Sequence, residues 1–359
     1  MQQHPRRYIM PLSPAPHSRF GAYAVIAAVL CGATAAFAYT AGWISPDRLT
    51  RERVVDGLSP PGGPALGHRR NHVKGICFTG TFEANGAGTA LSRASLLATG
   101  SYPVIGRFNL ATADISQPDA KSRVRGLSLQ ILAPDGSEWR TAMITAPVFP
   151  VSTPEAFYAL QQASASKQPD AMRAFAAAHP EIARFGAWAS SAPWTGSYAE
   201  ERYNSLNAFT FTSADGQDHA VRWSMLPEAQ AVSVPPAQLA TRAPDFLEQD
   251  IKTRLAAGPV RWTMVVTVAE PGDPVADPSQ SWPEDRRTVD IGTLMVRALQ
   301  EEADGPCRDV NYDPTVLPSG MITSADPFPA ARSSAYALSY RRRAAEAAQY
   351  PRTAPGARP

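Results

Sequence analysis

Near the C-terminal end, Arg332 and Tyr336 stand one helical turn apart in the run Asp326-Pro327-Phe328-Pro329-Ala330-Ala331-Arg332-Ser333-Ser334-Ala335-Tyr336, and Arg343 follows two turns later. On a helix Arg332 and Tyr336 share a face. A fixed guanidinium beside a phenol favours the phenolate, and an anionic oxygen is the donor that a ferric iron takes. Taken alone, such a pair more often means an arginine leaning on a tyrosine ring. A second cluster lies far upstream, Arg69-Arg70-Asn71-His72-Val73-Lys74-Gly75. It offers an imidazole, which moves protons in both directions near neutral pH, next to guanidinium forks that suit carboxylates.

Further segments stand between and around these clusters: Arg107-Phe108-Asn109, Val124-Arg125-Gly126-Leu127, Pro147-Val148-Phe149, Phe157, Trp282-Pro283 ahead of Gly292-Thr293-Leu294, and Tyr312-Asp313-Pro314. In this order and spacing, the stretch from about 68 to 345 resembles the haem catalases. The resemblance implies an α+β fold, a catalase-like antiparallel β-barrel with helical insertions and a C-terminal haem-ligand helix. It implies haem b, with Tyr336 as the iron ligand, tyrosine ligation being the known arrangement in catalases. Arg332 would stabilise the Tyr336 phenolate, Arg69, Arg107 and Arg343 would meet the haem propionates, and Phe157 would pack on the haem face. His72 would be the distal acid/base, taking a proton from one peroxide oxygen and returning it to the departing one.

Two departures bear on activity. Catalases place an asparagine ahead of their T-P-V-F, where Met143-Ile144-Thr145-Ala146-Pro147 here offers Ile144 or Thr145. Their distal serine is replaced by Asn109, which brings a donor from another direction. Losing the group that orients a second peroxide harms dismutation more than the first oxidation step, which favours peroxidase over catalase. The chain is shorter than a full catalase, so neither the interlocked tetramer nor bound NADPH is expected, and the small catalase-related peroxidases are the most similar branch. The implied function is a haem-dependent peroxidase that reduces hydrogen peroxide or organic hydroperoxides through a ferryl intermediate, with an organic electron donor. The alternatives are a non-catalytic haem-binding or sensing protein, weak catalase activity, and rearrangement of a lipid hydroperoxide. His4, His17, His68, His179 and His219 match no position of the resemblance.

The elements that must position these groups read as mainly β. The chain has 359 residues, 44% of them hydrophobic, enough for a sizeable core, and its 34 prolines favour short strands and long connections over a helical bundle. A net charge of +2 with 18% charged residues excludes a concentrated basic face for nucleic acid. Strands are predicted over Ile76–Ala84, Val104–Leu110, Leu127–Leu132, Trp139–Val151, around Phe209, Phe211, Val221 and Trp223, over Trp262–Val268 and over Gly292–Ala298. Helical spacing marks Leu91–Leu97, a segment opening at Thr153-Pro154, residues 169–187 and about 334–349. Residues 1–45 read as a signal or membrane-anchor segment, 46–67 as a linker, 68–345 as the haem domain and 346–359 as a flexible tail.

No charge interrupts Phe20–Ile44, while Arg6, Arg7 and Arg19 precede it. The positive-inside bias places residues 46 onward in the periplasm or otherwise outside the cytoplasm. Two fates are open for the segment, cleavage near Ala36-Phe37-Ala38 or retention as an anchor, and Arg6-Arg7 raises the twin-arginine route. In an oxidising compartment Cys77 and Cys307 either pair or remain two buried thiols.

Overall fold

The computed structural model describes residues 20–41, 43–45 and 48–353, and Arg6, Arg7, Arg19, His4 and His17 lie outside them. The chain divides into two units, Met1–Thr50 and Arg51–Pro359. In the first, helix α1 (Phe20–Thr40) has 21 residues, a mean hydropathy of 1.9 and no buried side chain. It is long and apolar enough to cross a membrane, a property that secretion signals share. Cys31 on this helix is a free, exposed thiol.

The second unit is built on strands β1 (Gly75–Ala84), β2 (Gly100–Leu110), β3 (Arg125–Leu132), β4 (Glu138–Ile144), β5 (Tyr203–Asn204), β6 (Phe209–Thr212), β7 (Asp218–Pro227), β8 (Val260–Val268), β9 (Thr288–Gln300) and β10 (Met321–Thr323). All pairings are antiparallel. The order β1-β2-β3-β4-β5-β7-β8-β9 returns to β1, an eight-stranded closed barrel, with β6 and β10 extending from β7. Helices α2 (Arg51–Gly57), α3 (Pro154–Ala165), α4 (Ala171–Ala178), α5 (Ile182–Ser191), α6 (Pro236–Leu239), α7 (Phe246–Ala257) and α8 (Phe328–Ala345) complete the unit.

Strand alternation sorts the residues of the wall. On β2, Val104, Phe108 and Leu110 join the core, as do Leu127, Leu129 and Ile131 on β3. Trp139, Trp223 and Trp262, all fully buried, fill the interior together with Phe78 and Phe108. Each ring removed from water contributes about 2–3 kcal/mol. The intervening residues of β2, Arg107 and Asn109, face out of the barrel toward the helices.

Several boundaries differ from the sequence expectation for identifiable reasons. Over residues 91–97 there is no α-helix, because Ser92 Oγ bonds Gly320 O (2.7 Å) and accepts from Ala94 N (3.2 Å), leaving a 3₁₀ turn at Ser95–Leu97. The strand expected over Trp139–Val151 ends at Ile144, where Asn204 Nδ2 takes the carbonyls of Thr145 and Ala146 and prolines follow. The helix expected over 169–187 breaks into α4 and α5 at His179-Pro180, since a residue before proline is driven out of helical conformation. The last helix starts earlier than 334 and stops at Ala345. A helix, α2, stands in the stretch read as a linker, and beyond α8 the Tyr350 ring packs on His68 at 3.8 Å. Cys77 on β1 and Cys307 in the connection after β9 form a disulfide, which decides between the two states considered for them.

Candidate active site

A cavity of about 380 Å³ lies between the outer face of β2–β4 and α8, walled also by α2, α3 and the segment 69–72. Tyr336, Arg332, Arg343, His72, Asn109, Arg69, Arg107 and Phe157 all line it. These are all the site residues expected from the sequence, and they come from four separate stretches of chain.

On the α8 side, Arg332 Nη2 lies 3.3 Å from the Tyr336 hydroxyl and bonds Ala142 O at 3.1 Å, while Nη1 donates to Asn207 Oδ1 at 2.7 Å. Asn207 Nδ2 in turn donates to Asp326 Oδ2 at 2.8 Å. The chain Asp326–Asn207–Arg332 therefore holds the guanidinium against the phenol. Burial pushes the Asp326 carboxyl up, opposed by the donors on Asn207 and on the Phe328 amide. Asp326 stands in the run that opens α8 with nothing in its sequence setting to mark a role, and Asn207 belongs to no motif. Nothing local marks an asparagine that acts across more than a hundred residues of chain.

In the segment ahead of β1, His72 Nδ1 donates to Asn109 Oδ1 at 2.7 Å. That acceptor fixes the tautomer, so the proton sits on Nδ1 and Nε2 keeps a lone pair. Burial first, then the nearby Arg107, Arg332 and Arg69, bring the His72 ring down to about 4, overriding the Asn109 bond that raises it. The imidazole is thus a neutral base across the physiological range. Its backbone has φ 54°, and Leu206 beside Asn207 has φ 62°; among the described residues these are the non-glycines with positive φ, and both line the cavity. Asn109 lies across Gly126, where a Cβ would collide with its Oδ1.

At the cavity edge, Arg69 Nη2 donates to Cys307 O (2.9 Å) and Val310 O (3.0 Å), and Arg343 Nη2 to Val310 O (3.1 Å). Arg69 Nη1 is buried with no hydrogen-bond acceptor, having only Glu302 Oε1 at 3.6 Å. Arg107 is placed differently from the arginine expected at a propionate. Its Nη atoms are taken by His72 O, Val73 O and Glu302 Oε2. Ile144 lines the cavity, and Thr145 is turned away with its hydroxyl accepting from Arg125 N. Of the four asparagines that line the cavity, Asn71 is engaged on the His72 amide, Asn109 on the His72 ring and Asn207 on Arg332, and Asn311 is the fourth.

The donor set fits a haem. Phe149, Phe157, Val54, Val55 and Leu58 give apolar walls for a flat macrocycle, Tyr336 supplies an oxygen donor, and Arg69 and Arg343 bring guanidinium groups to one edge, where carboxylates would lie.

The catalase family model matches residues 65–356. The chain belongs to the catalase family. A protein described as a catalase-related peroxidase in Synechococcus elongatus (strain ATCC 33912 / PCC 7942 / FACHB-805) is 35% identical over 301 residues, 82% of this chain and 89% of its own length. Another of the same description in Mycolicibacterium paratuberculosis (strain ATCC BAA-968 / K-10) is 31% identical over 302 residues, 82% of this chain and 95% of its own. Among solved structures, a bacterial catalase superposes with a TM-score of 0.69 at 18% identity over 77% of this chain and 57% of that one. Catalase A from Saccharomyces cerevisiae gives the same score and identity over 61% of its length. This catalase-family chain thus spans about three-fifths of those catalases and nearly all of the peroxidases. Family membership gives the barrel and its wrapped helices a common origin with catalases.

Proposed function

We propose that this chain is a haem-dependent peroxidase that reduces hydrogen peroxide or an organic hydroperoxide with electrons from an organic donor. The observation that carries this reading is one cavity lined both by the Tyr336–Arg332 pair and by a neutral, single-tautomer His72. Haem b, when bound, supplies the redox chemistry of O–O reduction. Tyr336 Oη would hold its iron, with Arg332 stabilising the phenolate, and Phe157 would pack on the ring. Arg69 and Arg343 would receive the propionates. Arg107, already committed to Glu302 and two carbonyls, would have only Nε to give.

His72 does the proton work. Nε2 accepts the proton of one peroxide oxygen and returns it to the other as the O–O bond breaks, so that water or an alcohol leaves. Asn109 Oδ1 keeps the proton of the resting ring on Nδ1 and so presents the basic nitrogen to substrate. With Ile144 at the wall, no amide from that position orients a second peroxide, which supports peroxidase over dismutase chemistry. The apolar helix α1 supports export from the cytoplasm or anchoring at its membrane, with the haem domain in the periplasm or outside.

The test is a pair of substitutions in the full chain supplied with haem. Tyr336→Phe is expected to lose or weaken haem binding, read by absorption titration. His72→Ala is expected to keep haem while kcat/KM for peroxide falls by about 10²–10⁴-fold, the usual worth of a general acid–base group. A His72→Ala protein with full peroxidase rate would remove His72 from the mechanism. Oxygen release outpacing donor oxidation would instead mark a catalase.

A further inference from the structure

Outside the residues given a role above, one buried carboxylate stands out. Glu302 follows β9, is 8% exposed, and meets Arg107 Nη2 at 2.7 Å and Arg69 Nη1 at 3.6 Å. Arg107, 1% exposed, uses its other donors on the backbone of the distal segment: Nη1 on His72 O at 2.7 Å and Nη2 on Val73 O at 3.1 Å. A planar guanidinium bonded to two successive carbonyls fixes the orientation of both peptide planes. One of these carbonyls belongs to His72, whose left-handed backbone is one that side-chain-bearing residues rarely adopt without support. The guanidinium runs directly beneath Gly75, where a Cβ would stand 2.8 Å from its carbon. The far side of the segment is tied by Val73 N to Thr112 O at 3.0 Å and by Leu110 N to Lys74 O at 3.0 Å.

We infer that Glu302 and Arg107 form a positioning pair for the distal base: the carboxylate holds the guanidinium, and the guanidinium holds the His72 and Val73 carbonyls so that the imidazole meets Asn109. The inference rests on His72 being the acid/base of the proposed peroxidase. It assigns Arg107 to the histidine segment and leaves Arg69 and Arg343 for the propionates. Glu302 also offsets the positive charge of Arg69 and Arg107, which would otherwise face each other across a nearly dry space. Neither residue touches substrate. Both act through His72.

Two variants of the full chain test this, Glu302→Gln and the double variant Arg107→Leu/Glu302→Leu. The double variant removes both members of the Arg107–Glu302 pair together and leaves Arg69 its carbonyl acceptors on Cys307 and Val310, so it carries the test if Glu302→Gln does not fold. The first readout needs no haem: nitrogen NMR of ¹⁵N-histidine-labelled protein. The wild type is expected to show His72 as the single Nδ1–H tautomer, and the variants a mixture of tautomers. In the haem-loaded proteins, kcat/KM for hydrogen peroxide is expected to fall about 100-fold, the scale of a misplaced catalytic group. KM for the electron donor and haem affinity should stay near wild type.

An unchanged His72 tautomer in both variants, or a mixed tautomer with unchanged kcat/KM, overturns the inference. An unchanged tautomer accompanied by a loss of haem affinity would return Arg107 to the propionates. Failure of the function itself is separate, because then His72→Ala would keep its rate.

Discussion

His72 spends one ring nitrogen on Asn109 and keeps the other for substrate, and its environment makes it acid-resistant as a base. The folded ring titrates at about 4 against an ordinary value of 6.5. Between those values the unfolded chain binds the extra proton, so this histidine's contribution to stability is full above 6.5 and is lost as pH falls through about 4. Thermal melts of protein prepared without haem should therefore show a loss of stability over that window, and His72→Gln should remove part of that slope. The mirror-image outcome, stability gained on acidification in the wild type alone, would mean that the ring is charged in the fold. What could be read of this site from the sequence was what periodicity and motif order carry. Tyr336 and Arg332 are visible because their one-turn spacing falls in a run that resembles the catalases in order with the upstream segments. Glu302 and Asn207 are not, because their partners lie far away in sequence and no pattern links an acidic side chain after β9 to an arginine on β2.

β2 is the element on which barrel and site depend together. Phe108 enters the core while Arg107 and Asn109 on either side face the cavity, so one strand sets the interior packing and the distal side at once. β3 must run close enough for Asn109 to lie across Gly126. Gly126→Ala is expected to push the Asn109 amide away, with an overpacking cost of about 1–3 kcal/mol and a drop in kcat/KM for peroxide that leaves haem binding intact. Thermal melts and peroxide kinetics on the one variant check both parts. The long strands were readable because alternation writes them twice, once in apolar and once in polar residues. The two-residue β5 has no such record and exists because Asn204 pairs with Ile144 and Ser224. α7 was missed for a related reason. Its buried Phe246, Leu247 and Ile251 do not repeat as an apolar stripe along the helix.

In the whole chain, the barrel unit begins at Arg51, and α1 belongs to the other unit. A protein lacking residues 1–45 is therefore expected to fold, bind haem and keep the peroxidase rate of the full chain, and loss of membrane association in fractionation would mark α1 as a retained anchor rather than a cleaved signal. A truncated protein without haem would show that the apolar segment contributes to the site. The disulfide makes a different demand. It joins β1 to the connection whose carbonyls, on Cys307 and Val310, hold Arg69 and Arg343 at the cavity edge. Such a crosslink typically contributes about 2–4 kcal/mol. Treatment with dithiothreitol should speed the transfer of haem to apomyoglobin, and a Cys77→Ser/Cys307→Ser protein should match the treated wild type. On the proposed export, maturation has an order: a chain filled with cofactor in a reducing cytosol would be an unfinished product, its grip completed only when an oxidant closes the latch. Protein made in an ordinary expression host would then understate how tightly an exported form keeps its cofactor.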